Sequence, residues 1–362
     1  MSTRSVKRFL ASYVDAYLGA AAEMSLAELR ERQPPPHASL AFGGAGIAYM
    51  FFRAYEAGKG AAYLAEAKRW SSATWRARAR SDAWRGVIMQ AGHAGGAELD
   101  PPSSSFAFGR AGLSFVEALV ESPRTRADRI GDLIDLSRLG KAATVDFMDG
   151  VAGRLAALAT LYSRHPEPRV KVVGNRLATW LVAAPPPDYG PWFAYGSLGA
   201  FHAVMRWSTV SGFDLPGRWL DQLDAIAGKP IPYRQIALDR SWCNGSAGVA
   251  LAFVTAYERT SRSLYLDAAR AATHHAIADA PGSSGVCCGL AGRAYAALAL
   301  HRVAPDKALV SRAGDLAIAA IQGPALEYPN SLLRGHPGMV CLALDLTTKH
   351  PAGHPRFPIT ET

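Results

Sequence analysis

Seven copies of Gly-x-x-Gly constrain this chain more than anything else in it: Gly43/Gly46, Gly109/Gly112, Gly150/Gly153, Gly196/Gly199, Gly245/Gly248, Gly289/Gly292 and Gly335/Gly338. The first glycines are 66, 41, 46, 49, 44 and 46 residues apart. With 34 glycines in the chain a few such pairs would arise by chance, but not seven at near-constant spacing, each leading into an apolar run. A fixed interval of this kind marks a repeat architecture, in which no unit can bury its own apolar surface alone.

The runs that follow the glycines, such as those at 47–55, 154–162 and 293–301, are rich in Ala and Leu and apolar on nearly every side. A helix of that kind is buried on most faces. Stop signals follow at Gly58, Pro166 and Pro305. A more amphipathic segment comes next in the units at 126–139, 169–182, 263–278 and 307–322. Strict alternation of buried and half-exposed helices predicts two concentric layers. The expected fold is all-α, an (α/α)7 toroid in which seven outer helices wrap seven inner ones, as a single domain over residues 1–362. The seventh unit runs out of chain before an outer helix, and a spare N-terminal helix within residues 1–30 is expected to close the outer ring. The long first interval holds an insertion at 86–105, with Gly92, Gly95, Gly96, Pro101 and Pro102, which reads as a loop without strand-like alternation.

The basic start, residues 1–8, leads into an apolar stretch that Asp15 interrupts. An amphipathic helix with Phe9, Tyr13, Val14 and Tyr17 on one side fits it better than a signal peptide. No run reaches the ~18 apolar residues of a membrane span, so a cytoplasmic protein is expected. The net charge of +9 is scattered, with no arginine-rich or aromatic-interleaved patch of the nucleic-acid type. Four cysteines, two of them adjacent, do not make a disulfide framework in a chain of 362 residues.

In such a ring all seven glycine turns lie on one rim. The residues just before each first glycine (Phe42, Phe108, Asp149, Tyr195, Asn244, Cys288 and Arg334) are expected to face a common cavity. Cys243 comes from the fifth turn and Cys287 and Cys288 from the sixth, so these cysteines converge. Three protein ligands and an open fourth position make the pattern of a catalytic zinc site, and soft thiolates select zinc over hard cations. Cys341, inside the last apolar run, reads as a buried small hydrophobe.

The segments Trp242-Cys-Asn-Gly-Ser-Ala-Gly248 and Cys287-Cys-Gly-Leu-Ala-Gly292 resemble the zinc motifs of the lanthionine synthetase C-like family, Trp-Cys-x-Gly-x-x-Gly and Cys-His-Gly-x-x-Gly. The resemblance extends over essentially the whole chain, because that family is a sevenfold double ring with Gly-x-x-Gly turns. It implies one Zn2+ per chain held by Cys243, Cys287 and Cys288, the last replacing the more common histidine, as in the family's Cys-Cys-Gly variant. The implied reaction is addition of a peptide cysteine to a dehydroalanine or dehydrobutyrine, giving a lanthionine or methyllanthionine thioether. The implied partners are a dehydrated precursor peptide and a separate dehydratase that supplies it.

The resemblance also implies catalytic positions. Asp146 stands four residues before the third Gly-x-x-Gly, where the family has Asp; a turn cap is the plainer role for it. Tyr195 replaces the family's histidine before the fourth Gly-x-x-Gly. With a pKa near ~10 a tyrosine is a poor general base at neutral pH, though it can donate a hydrogen bond. Trp242 matches its motif, Asn244 stands where an aromatic or histidine is common, and Arg240 lies one position nearer the motif than the family's arginine. His336, inside the seventh turn, is the histidine placed to compensate on the rim; His202 reads as a core histidine. Competing readings are a zinc-dependent prenyltransferase-like barrel, for which the glycine pattern is wrong, and an α/α-barrel glycosidase, for which Asp146 and Asp149 are the only carboxylate pair. The non-enzyme alternative is a zinc-binding scaffold that binds a modified peptide or thiol partner.

Overall fold

The structure, a computed structural model, describes residues 3–89, 96–99, 103–140, 143–185, 190–229, 239–279, 282–324 and 326–348. In chain order its helices are α1 (Thr3–Glu23), α2 (Leu26–Arg32), α3 (Gly44–Glu56), α4 (Ala61–Ala77), α5 (Arg110–Val120), α6 (Pro123–Leu136), α7 (Val151–Arg164) and α8 (Pro168–Ala183). They continue with α9 (Ser197–Ser211), α10 (Gly217–Ala227), α11 (Ser246–Thr260), α12 (Ser263–Ile277), α13 (Leu290–Val303), α14 (Lys307–Ile321) and α15 (His336–Thr347).

Each odd-numbered helix from α3 to α15 starts at a Gly-x-x-Gly, with the first glycine as an extended N-cap. These helices are buried along most of their length, and each packs on the next, α15 returning to α3 to close the ring. The outer layer packs outside them, with α4 on α3, α6 on α5, α8 on α7, α12 on α11 and α14 on α13. Helix α1 lies against α14 and α15. The fold is the all-α double ring that the glycine spacing predicts. Helix α6 starts earlier than its amphipathic pattern suggests because Ser122-Pro123 supplies a proline at the first turn, where the missing N–H costs nothing.

One expectation needs correcting. Residues 86–105 are not a plain loop: β1 (Gly86–Met89) and β2 (Gly96–Leu99) pair antiparallel, Gly86 opposite Leu99 and Met89 opposite Gly96. Strands of four residues are too short for alternation to stand out from background, and pairing supplies what local pattern does not. Residues 90–95 and 100–102 of the insertion lie outside the described residues.

The rim is locked by a closed circle of backbone hydrogen bonds, one residue per turn. Ala41 N–H donates to Ala107 O (2.9 Å), Ala107 to Met148 O (3.0 Å), Met148 to Ala194 O (3.3 Å) and Ala194 to Cys243 O (2.9 Å). Cys243 then donates to Cys287 O (3.2 Å), Cys287 to Leu333 O (2.9 Å) and Leu333 back to Ala41 O (3.2 Å). Every one of these residues stands two positions before its first glycine, so the repeat register is also the hydrogen-bond register. At about 1 kcal/mol net for each bond, the circle matters most by pairing a peptide N–H and a carbonyl between successive turns all round the rim.

One position further back, the side chain packs on the second glycine of the following turn. A Cβ at Gly248 would lie 2.6 Å from the Cβ of Phe193 and would collide with the Trp242 carbonyl oxygen. Gly248→Ala is therefore expected to destabilise the fold by about 1–3 kcal/mol, as an overpacked core does. Urea unfolding of the variant beside wild type measures this, and unchanged stability would contradict so close a contact between turns.

Candidate active site

The ring register carries the cysteines into place. Cys243 and Cys287 occupy equivalent positions on successive turns, and Cys243 N–H donates to Cys287 O. Cys288 follows, one residue nearer the cavity. The Sγ atoms of Cys243 and Cys288 are 3.5 Å apart and those of Cys288 and Cys287 3.4 Å apart, with no disulfide. All three sulfurs lie within 4.8 Å of one another.

Three thiols so close cannot all ionise unaided. Hydrogen bonds from Cys287 and Cys288 hold the Cys243 thiol well below its ordinary pKa, against the effect of burial. Their hydrogen bonds to Cys243 in turn push the other two up, with burial and the Cys243 charge adding to the rise, Cys288 to about 12. A dication removes that conflict. Four-coordinate zinc, with Zn–S near 2.3 Å, sets neighbouring sulfurs about 3.8 Å apart, close to the 3.4 and 3.5 Å separations here. The N-termini of α11 and α13 add partial positive charge beside the thiolates. The donor set fits a soft divalent metal with one position left open.

The five turns from the third to the seventh present the polar part of the rim. Tyr195 exposes 37% of its surface there; burial of its hydroxyl and then the neighbouring Asp149, Cys287 and Cys243 raise its pKa well above the usual value. Its phenol therefore stays protonated. Arg334, on the other side, bears on Cys288, partly opposing the rise of that thiol, and its guanidinium sits 5.6 Å from the Phe42 ring. On the first and second turns, Phe42 and Phe108 stack at 5.9 Å and are buried. The rim is thus polar over one arc and filled by aromatic rings over the rest.

The remaining expected site residues are placed differently. Asp146 accepts from the backbone N–H of Asp149 (2.7 Å) and of Gly150 (3.2 Å) on Oδ1, and from the Thr144 hydroxyl (2.6 Å) on Oδ2. It caps the third turn. Trp242 is buried against Phe193 and Phe147, in the layer that packs on Gly292, and its Nε1 makes no hydrogen bond among the described residues. Arg240 Nη1 donates to the carbonyl of Ala278, so it caps the end of α12 with Arg293 instead of reaching the thiols. His336 is a correction to the expected rim histidine. Its Nδ1 lies 2.9 Å from the Tyr13 hydroxyl and its ring packs on Tyr17, so it faces α1 and the outer layer. As the first residue of α15 it has already turned away from the cavity, whereas Arg334, two residues earlier, has not. His202 is a core histidine, 3.0 Å from Thr255 Oγ1. Residues 230–238, just before Arg240, lie outside the described residues.

Two rim groups carry more than a reading of motifs assigns them: Asp149 and Arg334. Their signal in the sequence is position alone, since both directly precede a first glycine, as Cys288 does.

The family model described as Lanthionine synthetase C-like protein matches residues 195–359, which include both cysteine turns. No curated protein matches the chain. Among solved structures, a nisin cyclase superposes with a TM-score of 0.62 at 12% identity, over 94% of this chain and 93% of that one. At that identity the likeness is one of fold. No helix among the described residues is long and apolar enough to cross a membrane. Residues 195–359 thus match the lanthionine synthetase C-like family model, and nearly the whole chain shares the fold of a nisin cyclase.

Proposed function

We propose that this protein is a zinc-dependent thioether cyclase, acting as a single domain on a peptide whose Ser or Thr residues a separate dehydratase has already converted to dehydroamino acids. The observation that carries this reading is the triad of sulfurs, within 4.8 Å of one another on two turns that the rim circle hydrogen-bonds together. Cys243, Cys287 and Cys288 would hold one Zn2+ per chain. When bound, the ion supplies Lewis acidity that lowers the pKa of a thiol arriving beside it.

The rest of the work falls to the protein's own groups. The rim circle fixes the three sulfurs relative to each other, so little rearrangement is needed on metal uptake. The buried Phe42–Phe108 stack fills one side of the rim and confines a peptide to the polar arc. Tyr195 donates its hydroxyl hydrogen bond toward negative charge that develops there, and Arg334 adds fixed positive charge on the far side. Asp146 and Thr144 hold the third turn in shape.

The expected result of metal analysis is about one zinc per chain. Incubated with a dehydrated, cysteine-containing peptide, the zinc form is expected to consume the peptide thiol without changing its mass. Unchanged thiol content with retained peptide binding would instead establish the non-catalytic scaffold.

A further inference from the structure

Asp149 directly precedes the N-cap glycine of α7, in the register that Cys288 occupies before α13. Its backbone N–H is held by Asp146, which leaves its own carboxylate outside the capping of the turn. The Oδ1 atom is buried and makes no hydrogen bond among the described residues. Such an atom forgoes about 1–3 kcal/mol, more when charged, and calls for an explanation. Burial raises the pKa of this carboxyl to about 6, with the nearby Asp146 adding to the rise and a hydrogen bond with Ser105 opposing it. Among the described residues the groups that bear on it are Asp146 on its own turn, the Ser105 hydroxyl from the second turn and Tyr195 from the fourth, on which Cys287 and Cys243 also bear.

Cyclisation ends in a carbanion that must be protonated. Burial raises the Tyr195 pKa well above its usual value, so its phenol is a weak acid. His336 faces α1, and both oxygens of Asp146 are engaged in the turn. We propose that Asp149, half-buried on the rim, is the acid of the reaction, its carboxyl giving a proton to the α-carbon of the adduct. This inference rests on the cyclase reading above.

The step balances without a redox partner. The substrate thiol releases its proton to solvent and its sulfur forms the C–S bond at the β-carbon. The π-electron pair of the dehydroamino acid moves to the α-carbon as an enolate. Asp149 gives its proton to that carbon and recovers one from water. Delivery from one side fixes the configuration at the α-carbon.

The reactive form of Asp149 is the protonated one, present below its pKa and lost as pH rises through about 6. The substrate must ionise in the opposite sense, so the wild-type rate is expected to be bell-shaped in pH, descending on the alkaline side. Asp149→Asn is expected to keep its zinc and helicity, lose that descent, and cyclise ~10²–10⁴-fold more slowly, as removal of a general acid does. Chiral analysis of its product is expected to show both α-carbon epimers where wild type gives one, with Asp149→Glu restoring part of the rate and selectivity. If wild type cyclises and Asp149→Asn matches it within about twofold with a single epimer, this inference is overturned and the cyclase reading stands. If zinc-loaded wild type consumes no thiol, the cyclase reading fails and takes this inference with it. Should Asp149→Asn not fold, the wild-type profile decides: a rate with no alkaline descent overturns the assignment.

Discussion

Cys243→Ala is expected to leave the protein without zinc and without cyclase activity. Cys243 is one of the three sulfurs that would hold the ion, and it comes from a different turn from the other two, so its loss reduces the site to two neighbours on one turn. Even residues that only support a metal ligand cost 10–100-fold in affinity when removed, and loss of a ligand from a three-residue set is expected to cost at least about 100-fold. The fold should survive, because the backbone N–H and carbonyl of residue 243 keep their places in the rim circle whatever the side chain. Thiol consumption by the variant should fall to the rate of peptide alone. Cys341→Ala is the matched control: that cysteine is buried within α15, and its replacement should retain full zinc. Zinc retained at one per chain in Cys243→Ala would remove the ligand assignment altogether.

The second large effect is expected away from the rim, where the ring is clasped. Asp345 of α15 accepts from Arg53 Nη2 on α3 and from the Tyr295 hydroxyl on α13, both at 3.0 Å. Arg53 also lies 3.4 Å from Glu56, whose other oxygen takes Arg164 of α7 at 2.6 Å. The side chains of Arg53 and Asp345 are 0% and 1% exposed, so neither charge can turn to water for compensation. Asp345→Ala leaves the guanidinium buried without this partner and should destabilise by about 3–5 kcal/mol. Urea unfolding should show a lower midpoint at unchanged slope. An Arg53→Met/Asp345→Leu double variant should recover much of the loss, since replacing both charges by apolar groups removes the desolvation cost that each bears. A single variant as stable as wild type would show that the clasp does not hold the first and last inner helices together.

The double ring was legible in the chain because glycine turns and helix burial are local properties repeated seven times. The repeat register alone places Cys243, Cys287 and Cys288 on adjacent turns, and it places Asp149, Tyr195 and Arg334 beside them. Other parts were not legible. The β1–β2 hairpin depends on pairing between strands too short to carry a pattern. The fates of Arg240 and His336 depend on neighbours far away in sequence, the end of α12 and the tyrosines of α1.

The cysteine turns opened a question that the third turn sharpens. By itself the sequence determined the layout, because a glycine that admits a close neighbour and a helix apolar on all sides leave the chain few other ways to bury itself. Only the tertiary structure decided which polar groups of the rim are tied up in hydrogen bonds to the turns and outer helices. Asp146 and Asp149 are three residues apart and chemically alike, yet one is consumed in capping the turn and the other keeps a buried oxygen with no partner among the described residues. That division depends on where each side chain points once the seven turns close, and no motif records it.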